Sequence, residues 1–376
     1  MDSTNRRRIL EGIAGAGVLG LAGCITSDSG GGGGSGGGGG NGSGGGSGSE
    51  GGSGGSNGSG GGGGGGNGSG GGSASGGGSQ LTWDAGGTGG TYYPLSNQFK
   101  QVVESNSDYS LQVRSTGASV ENVGNLAGGD SDFALIQNDV AFFAFEGTGI
   151  DEFEGNQVPS LRGVATLYPE TIHLLAGPDA GISSVADLQG MTVNTGDLGS
   201  GTQVDAQQIL QAVGVNDYTE QNASFSQAAD QLQNGDIDAA FILGGWPVGA
   251  VENLATTTDI TIVPVDGDER QQVLESGDYF AEDEIPGGTY SGISEAVPTV
   301  AVQAMIATTE GVPEGTVQDV TATLFDNLDA VNIKSDFISV DSAQDGMPIP
   351  LHPGAEAYFG GSGDMSGGNS SNSSGY

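Results

Sequence analysis

The sequence predicts a protein of the α/β class, because short apolar runs alternate with helical patterns over most of its length. Three of these apolar runs lead into glycine-rich loops that are each followed by a helical pattern. Acidic residues outnumber basic ones by 46 to 8, which gives the chain a net charge of −38. Because such a surface repels a nucleic-acid backbone, we expect no nucleic-acid binding.

The N-terminus has the pattern of an export signal. Arg6-Arg7-Arg8 precedes an apolar stretch at residues 13–22, which is too short to span a membrane as a helix. The paired arginines are in the register of a twin-arginine signal, which exports proteins already folded. The motif Leu21-Ala22-Gly23-Cys24 resembles a lipobox, so residues 1–24 are predicted to be a lipoprotein signal peptide with the lipid on Cys24. A buried structural thiol and a redox role are the alternatives for this cysteine.

Residues 30–79 are almost entirely glycine and serine, which fill 34 and 11 of the 50 positions. A segment of this composition buries too little apolar surface to repay the entropy of ordering. Residues 25–79 are therefore predicted to be a disordered tether, and residues 361–376 a disordered tail. By flexible-coil scaling, a tether of this length extends over roughly 40 Å. The lipid and the tether together predict a protein held on the extracellular face of the cell membrane.

The acidic residues of the folded part are scattered singly and face only five basic residues, two of them lysines. This distribution is typical of proteins that work in saturated salt, where screening removes the repulsion between like charges. We therefore expect a halophilic protein, with an ordinary acidic protein as the alternative.

Nine strands are predicted from the apolar runs, at residues 81–84, 111–115, 133–137, 163–167, 172–176, 192–194, 239–243, 260–265 and 300–307. Helical patterns fit between them. Apolar residues recur at helical spacing after Ser119, Thr202 and Ser224, which predicts three helices with one face in the core. The side chain of Ser224 is suited to cap its helix.

Three glycine-rich loops, at residues 84–94, 115–119 and 197–202, join the ends of strands to the starts of helices. Such loops expose backbone N–H groups and small hydroxyls at helix N-termini, at the edge of the sheet where ligands bind. The three loops together predict a shared pocket for an anion or a carboxylate, although any one of them alone is equally consistent with a plain turn. Neither a P-loop motif nor a complete dinucleotide-binding motif is present in the sequence.

The chain offers little for catalysis or for metal binding. Its two histidines, His173 and His352, are 179 residues apart and lack metal-ligand spacing. Ser200 lies between two glycines, but Leu198 stands where the Gly-x-Ser-x-Gly nucleophile motif needs glycine. We therefore predict a protein that is not an enzyme and that has no catalytic residue, no metal and no cofactor.

Six segments give the sequence its resemblance to the TAXI family, the solute-binding receptors of one branch of the tripartite ATP-independent periplasmic (TRAP) transporters. In chain order they are residues 87–94 (GTGGTYYP), 115–122 (STGASVEN), 132–141 (DFALIQNDVA), 199–202 (GSGT), 286–290 (PGGTY) and 350–355 (PLHPGA). The resemblance covers residues 81–359. The combination of segments in this order makes it specific.

The resemblance implies a type II periplasmic-binding-protein fold, in which two α/β lobes with mixed sheets are joined by hinge strands and close on a ligand. Lobe one is expected to comprise residues 80–168 and 290–360, and lobe two residues 169–289. The family implies a small carboxylate ligand, with glutamate or glutamine typical, and delivery to a TRAP permease driven by an ion gradient. A receptor of the same fold for an ATP-driven importer or a sensor is the alternative. We expect a monomer.

The resemblance also implies which residues contact the ligand: Thr88, Gly89, Gly90, Thr91, Tyr92, Ser115, Thr116, Ser119, Gln137, Asp139, Ser200, Gly201 and Thr202. Three further residues are candidates. Arg114 directly precedes the second loop and is expected either to pair with a ligand carboxylate or to form a surface salt bridge. His173 lies in an apolar strand and is either a satisfied core histidine or a ligand contact. Trp246 stands where the family often has a small or polar residue or histidine, which leaves the shape of the far wall open.

Overall fold

The computed structural model describes residues 79–177 and 179–365, with side chains as far as residue 361. The predicted signal peptide with Cys24, the tether up to residue 78 and the tail beyond residue 365 lie outside the described residues. The last described helix ends at Met365, so the boundary predicted at residue 361 falls within a helix.

The described part contains ten strands: β1 (Gln80–Asp84), β2 (Ser110–Arg114), β3 (Phe133–Gln137), β4 (Leu161–Ala176), β5 (Thr192–Asn194), β6 (Thr219–Gln221), β7 (Ala239–Leu243), β8 (Thr261–Val263), β9 (Ala281–Ile285) and β10 (Val297–Thr309).

The same residues include nine α-helices: α1 (Tyr92–Asn106), α2 (Ser119–Gly128), α3 (Asn138–Glu146), α4 (Gly201–Val213), α5 (Phe225–Asn234), α6 (Gly249–Thr257), α7 (Gly267–Ser276), α8 (Glu314–Phe325) and α9 (Pro353–Met365). None of these helices is both long enough and apolar enough to cross a membrane.

Two long strands connect two sheets. The sheet of lobe one has the order β2-β1-β3-β10-β4, and that of lobe two the order β4-β7-β5-β6, with β8 also paired to β4. Strands β1, β2 and β3 are parallel, as are β5, β6 and β7, whereas β10 and β4 run antiparallel to their neighbours. Strand β4 pairs with β10 through residues 161–171 and then with β7 through residues 172–176.

Each lobe has its own hydrophobic core. Trp83 and Phe133 stack in the core of lobe one, with ring centroids 5.5 Å apart. Strand β10 contributes to both cores, because Val302 packs in that of lobe two and Ile306 in that of lobe one. The predicted fold class, two α/β lobes with mixed sheets joined by hinge strands, is confirmed.

Residues 163–167 and 172–176, predicted as two strands, form the single continuous strand β4. The two apolar runs are separated by residues 168–171, which include Pro169, and proline cannot donate to a sheet ladder. In the structure Pro169 pairs with Gln303 next to a shift in register, and such an irregularity accommodates the missing N–H. Strands β6 and β9 were not predicted, because their residues are mostly exposed and show no apolar pattern.

Helices α8 and α9 of lobe one pack closely at Gly354. A Cβ atom there would lie 2.3 Å from the Glu314 carbonyl oxygen and 2.7 Å from the Gln318 backbone nitrogen. Gly354→Ala should therefore force the two helices apart and lower the free energy of unfolding by about 1–3 kcal/mol. Chemical unfolding of the full chain, followed by circular dichroism, measures this loss.

Gly360→Ala is the matched control, because it lies in the same helix with nothing within 4 Å of the added Cβ. It should leave the free energy of unfolding unchanged or raise it by up to about 1 kcal/mol, since alanine favours helix over glycine. Equal losses in the two variants would contradict the packing argument.

Candidate functional site

A cavity of about 160 Å³ lies between the two lobes, where the glycine-rich loops meet. Its lining comes from both lobes: Gly86, Gly87, Thr88, Gly89, Gly90, Thr91, Tyr92, Gly117, Ala118, Ser119, Gln137, Glu170, Asp197, Ser200, Gly201, Thr202, Ser224, Phe225, Ser226 and Leu243. The size suits a small ligand. No lysine or arginine of the described residues belongs to this lining.

Four helices begin at the cavity. They are α1 and α2 of lobe one and α4 and α5 of lobe two, and the first residue of each belongs to the lining. The first backbone N–H groups of a helix lack partners within the helix, and the helix dipole adds positive potential at the same end. Four converging N-termini therefore make the cavity favourable for an anion without a basic side chain.

The two helices of lobe one leave their first N–H groups without a side-chain cap, whereas those of lobe two are capped. The Ser200 hydroxyl accepts a hydrogen bond from the Gln203 backbone N–H, 3.2 Å away. Ser224 and Gln227 form a reciprocal capping box at α5, which confirms the predicted cap. The starts of α1 and α2 show no such side-chain bond. The start of α1 is thus the best placed to receive a ligand anion, because the Glu121 carboxylate already accepts a hydrogen bond from the Gly117 backbone N–H at the start of α2.

Glycine permits the lobes to approach closely at the cavity. A Cβ atom on Gly201 would lie 1.4 Å from Oε1 of Gln137 in the opposite lobe, and one on Gly89 would lie 2.8 Å from Oγ of Ser226. The Gly89 carbonyl also accepts a hydrogen bond of 3.2 Å from the Ala250 backbone N–H. These contacts join lobe one to lobe two, so the two lobes are closed on the cavity.

Ten of the thirteen predicted ligand-binding residues line the cavity, and three do not. Ser115 and Thr116 lie behind the lining, where they hold the loops together. The Ser115 hydroxyl donates to the Gly86 carbonyl over 3.0 Å, and the Thr116 hydroxyl donates to Oδ1 of Asn122 over 2.7 Å. The third, Asp139, is fully buried beyond the lining.

Arg114 does not reach the cavity. Its guanidinium donates to both carboxylate oxygens of the buried Asp84, over 2.5 and 2.7 Å. Asn125 donates to the same carboxylate over 2.8 Å. Because both carboxylate oxygens are bound, this ion pair is bidentate, and Arg114 forms a salt bridge between the neighbouring strands β1 and β2.

His173 is a satisfied core histidine. Its Nδ1 lies 3.0 Å from the Thr171 carbonyl and its Nε2 lies 2.9 Å from the Tyr290 hydroxyl, which in turn accepts from the Val248 backbone N–H. Burial lowers the pKa of His173 to about 4, so the ring is neutral. Both ring nitrogens are occupied, and the residue does not line the cavity.

Trp246 also lies outside the cavity lining. Its ring packs edge-to-face against Phe337, with centroids 5.8 Å apart, and its carbonyl accepts a hydrogen bond from the Lys334 ammonium. The residue therefore packs lobe two against a loop of lobe one and does not shape the ligand cavity directly.

Glu170, Asp205 and the Ser224–Ser226 turn were not predicted as parts of the site. Glu170 lies in the apolar run of β4, and an acid inside a buried strand is the signal that could have found it. Asp205 lies on a helix whose other residues suggested only a core-facing stripe. Its partner in the other lobe is apparent only in the fold.

Asp139 and Asp205 form a buried carboxyl pair between α3 and α4. Both side chains are fully buried, and the two carboxyl groups are close enough to interact directly with each other. Burial raises the pKa of Asp139 to about 7. Burial and then the charge of Asp139 raise the pKa of Asp205 well above its usual range. Because two buried carboxylates in contact cannot both ionise, the pair holds a proton near neutral pH.

Among the described residues, no group of three or more His, Cys, Asp or Glu side chains is placed to hold a metal ion.

Residues 84–363 match the family model described as the NMT1-like family. Among solved structures, the periplasmic binding protein BugD shares 11% identity and a TM-score of 0.47, over 76% of this chain and 93% of that one. A putative L-cystine ABC transporter from Listeria monocytogenes shares 12% identity and a TM-score of 0.42, over 70% and 98%.

The periplasmic aliphatic sulphonate binding protein SsuA from Escherichia coli shares 14% identity with this chain and a TM-score of 0.39, over 75% of this chain and 82% of that one. Similarity at this level transfers no ligand and no partner.

The carboxyl pair predicts a pH dependence of stability. An acid whose pKa is raised in the folded state stabilises the protein fully at pH values below its ordinary pKa of about 4. This stabilisation is lost as the pH rises through the pKa that the acid has in the folded state. For Asp139 that folded pKa is about 7. The free energy of unfolding of the full chain should therefore fall between roughly pH 5 and pH 8. Asp139→Asn should reduce this fall and be more stable than the wild type at pH 8, by about 1–3 kcal/mol.

Urea unfolding at a series of pH values in one salt concentration measures the slope. Glu170, whose pKa burial raises to about 7, leaves a residual slope of the same sign in the variant. Asp151→Asn is the control, because this aspartate is exposed. An unchanged slope in Asp139→Asn would show that the pair does not hold the proton.

Proposed function

The protein belongs to the NMT1-like family, which corresponds to the TAXI-type solute-binding proteins of TRAP transporters, and we propose that its closed cavity takes a small carboxylate. The family is one of solute-binding proteins and not of enzymes, so the chain is the extracytoplasmic solute-binding component of a transporter. The proposed ligands are molecules like glutamate or glutamine, or a dicarboxylate. We also propose that the protein delivers this ligand to a TRAP permease driven by an ion gradient.

The observation that carries this proposal is the convergence of four helix N-termini on one small cavity. Backbone N–H groups bind a carboxylate without a counter-charge from a side chain, which suits a protein with only 8 basic residues. The hydroxyls of Thr88 and Thr202 offer further donors at the same cavity. Arg114 has no part in it, because its guanidinium is held by Asp84.

Capture works by lobe closure. Strands β4 and β10 run through both lobes, so bending there opens the cavity without disrupting either core. Closure brings Gly201 against Gln137 and Gly89 against Ser226, which encloses the ligand. The ligand favours the closed state by the contacts it makes with both lobes at once.

We further propose that Cys24 carries a lipid and that residues 25–79 tether the receptor to the extracellular face of the membrane, near its permease. The net charge of −38 supports a working environment of high salt, where counter-ions screen the surface.

A thermal-shift screen of the full chain in multi-molar KCl, against amino acids and dicarboxylates, tests the ligand class. A small carboxylate should raise the unfolding temperature, because a ligand that binds only the folded state stabilises it. Stabilisation by sugars or apolar compounds alone would refute the carboxylate proposal.

Gly201→Ala should impair closure, because the added Cβ would lie 1.4 Å from Oε1 of the buried Gln137, whose side chain would have to move for the lobes to close. The affinity for the carboxylate found in the screen should fall by at least about ten-fold, as expected for about 1.4 kcal/mol or more of lost binding free energy. Isothermal titration calorimetry measures this change. The free energy of unfolding should change little, since the open receptor accommodates the methyl group.

Gly124→Ala provides the control, because this helix position has nothing within 4 Å of the added Cβ. It should bind like the wild type. If Gly201→Ala also binds like the wild type, the contact between Gly201 and Gln137 does not limit closure.

Cys24→Ser should release the protein from the membrane, because it removes the sulfur to which the lipid would be attached. Fractionation of expressing cells, with the wild-type chain in parallel, measures the distribution between membrane and medium. A variant that stays in the membrane fraction would argue against the lipobox.

A further inference from the structure

Glu170 is a buried acid that faces the ligand cavity. It lies on the hinge strand β4, opposite Val302 of β10, and only 5% of its surface is exposed. Glu170 lines the cavity, and its Oε1 has no hydrogen-bond partner. A buried carboxylate without a partner is costly, so a group that binds in the cavity is expected to satisfy it.

Among the described residues, no lysine or arginine forms a salt bridge with this carboxylate. Lys334 is near enough to influence it, but the Lys334 ammonium donates to the Trp246 carbonyl. Arg114 is held by Asp84. Burial raises the pKa of Glu170 to about 7, although the Tyr168 hydroxyl and the charge of Lys334 act in the opposite direction.

The rest of the cavity is rich in donors. Four helix N-termini present backbone N–H groups, and Tyr92, which lines the cavity, has a buried hydroxyl without a partner. These groups suit a ligand carboxylate, whereas an ionised Glu170 can only accept hydrogen bonds. The cavity therefore combines a site for an anion with a site for a cation.

We propose that Glu170 binds the ammonium group of the ligand, so that the receptor takes zwitterionic α-amino acids in preference to dicarboxylates. This inference rests on the proposed function, because it assigns the second end of the same carboxylate ligand. The ligand carboxylate lies at the helix N-termini, and its ammonium group donates to the Glu170 carboxylate. An acid without an amino group leaves Glu170 buried and unpaired, which weakens its binding.

The first test uses the full wild-type chain and pairs of ligands that differ by one amino group: glutamate and glutarate, glutamine and glutaramate, leucine and isocaproate. Isothermal titration calorimetry in one salt concentration gives the affinities. For the pair that binds best, the amino acid should bind about ten- to hundred-fold more tightly, as expected for a hydrogen bond between charged groups.

Equal or tighter binding of the acid without the amino group would overturn the role of Glu170 and leave the carboxylate proposal intact. If none of these carboxylates binds, the proposed function fails, and this inference fails with it.

The second test is Glu170→Gln, which keeps the shape of the side chain and removes its charge. Affinity for the amino acid should fall at least about ten-fold, whereas affinity for its partner without the amino group should stay the same or rise. The unfolding temperature without ligand should be unchanged or higher, because the variant no longer buries an ionisable group. A purely structural role for Glu170 would lower the unfolding temperature and weaken both ligands equally, and that result would refute the proposal.

Glu154→Gln is the matched control, because Glu154 is exposed and does not line the cavity. It should bind both ligands of each pair like the wild type. If Glu170→Gln does not fold, the comparison of paired ligands on the wild-type chain still decides the question.

Discussion

The central constraint on this protein is that its cavity lies where four helices begin and has no lysine or arginine in its lining. The chain has a net charge of −38 and only 8 basic residues. Arg114 is paired with Asp84, and the Lys334 ammonium donates to the Trp246 carbonyl. Four helix N-termini meet at one cavity and provide the positive potential that side chains do not. The fold is arranged so that each glycine-rich loop ends at this point.

Two long strands make that arrangement possible. Because β4 and β10 belong to both sheets, the helix N-termini of the two lobes face each other across a hinge. Glycines at the contact allow backbone to approach the opposite lobe at distances that a Cβ atom would block, as at Gly201. The same closure buries Asp139 and Asp205 together. The contact between the lobes, the burial of the carboxyl pair and the proposed capture of the ligand therefore all occur in the same closed arrangement.

The acidic surface and the cavity are compatible for a physical reason. Charges on an exposed surface are screened over about 3 Å at molar salt, whereas groups enclosed between the lobes are screened much less. The repulsion of an anionic ligand by the distant surface acids therefore vanishes at high salt, while the helix N-termini act on it at close range. Buried acids such as Glu170 keep their influence, since solvent and salt do not reach them.

Much of the fold could be predicted from local patterns. Apolar runs located most of the strands, and Ser224 was correctly predicted to cap the start of its helix. The predictions failed where a local signal pointed the wrong way, as at Pro169 within β4, or where exposed strands had no apolar signal, as in β6 and β9. Both failures have one cause, because pairing with a strand far away in the sequence determined whether these residues formed a strand.

The sequence by itself determined the class of the protein and the loops of its site, because glycines, small hydroxyls and helix starts are local features. Only the tertiary structure decided which partner each of the site's side chains has and whether it lines the cavity. It assigned Arg114 to Asp84, satisfied His173 in the core and brought Glu170 to the cavity. Such partners are far apart in the chain, and burial and pairing, which set their charge and chemistry, exist only once the strands have come together.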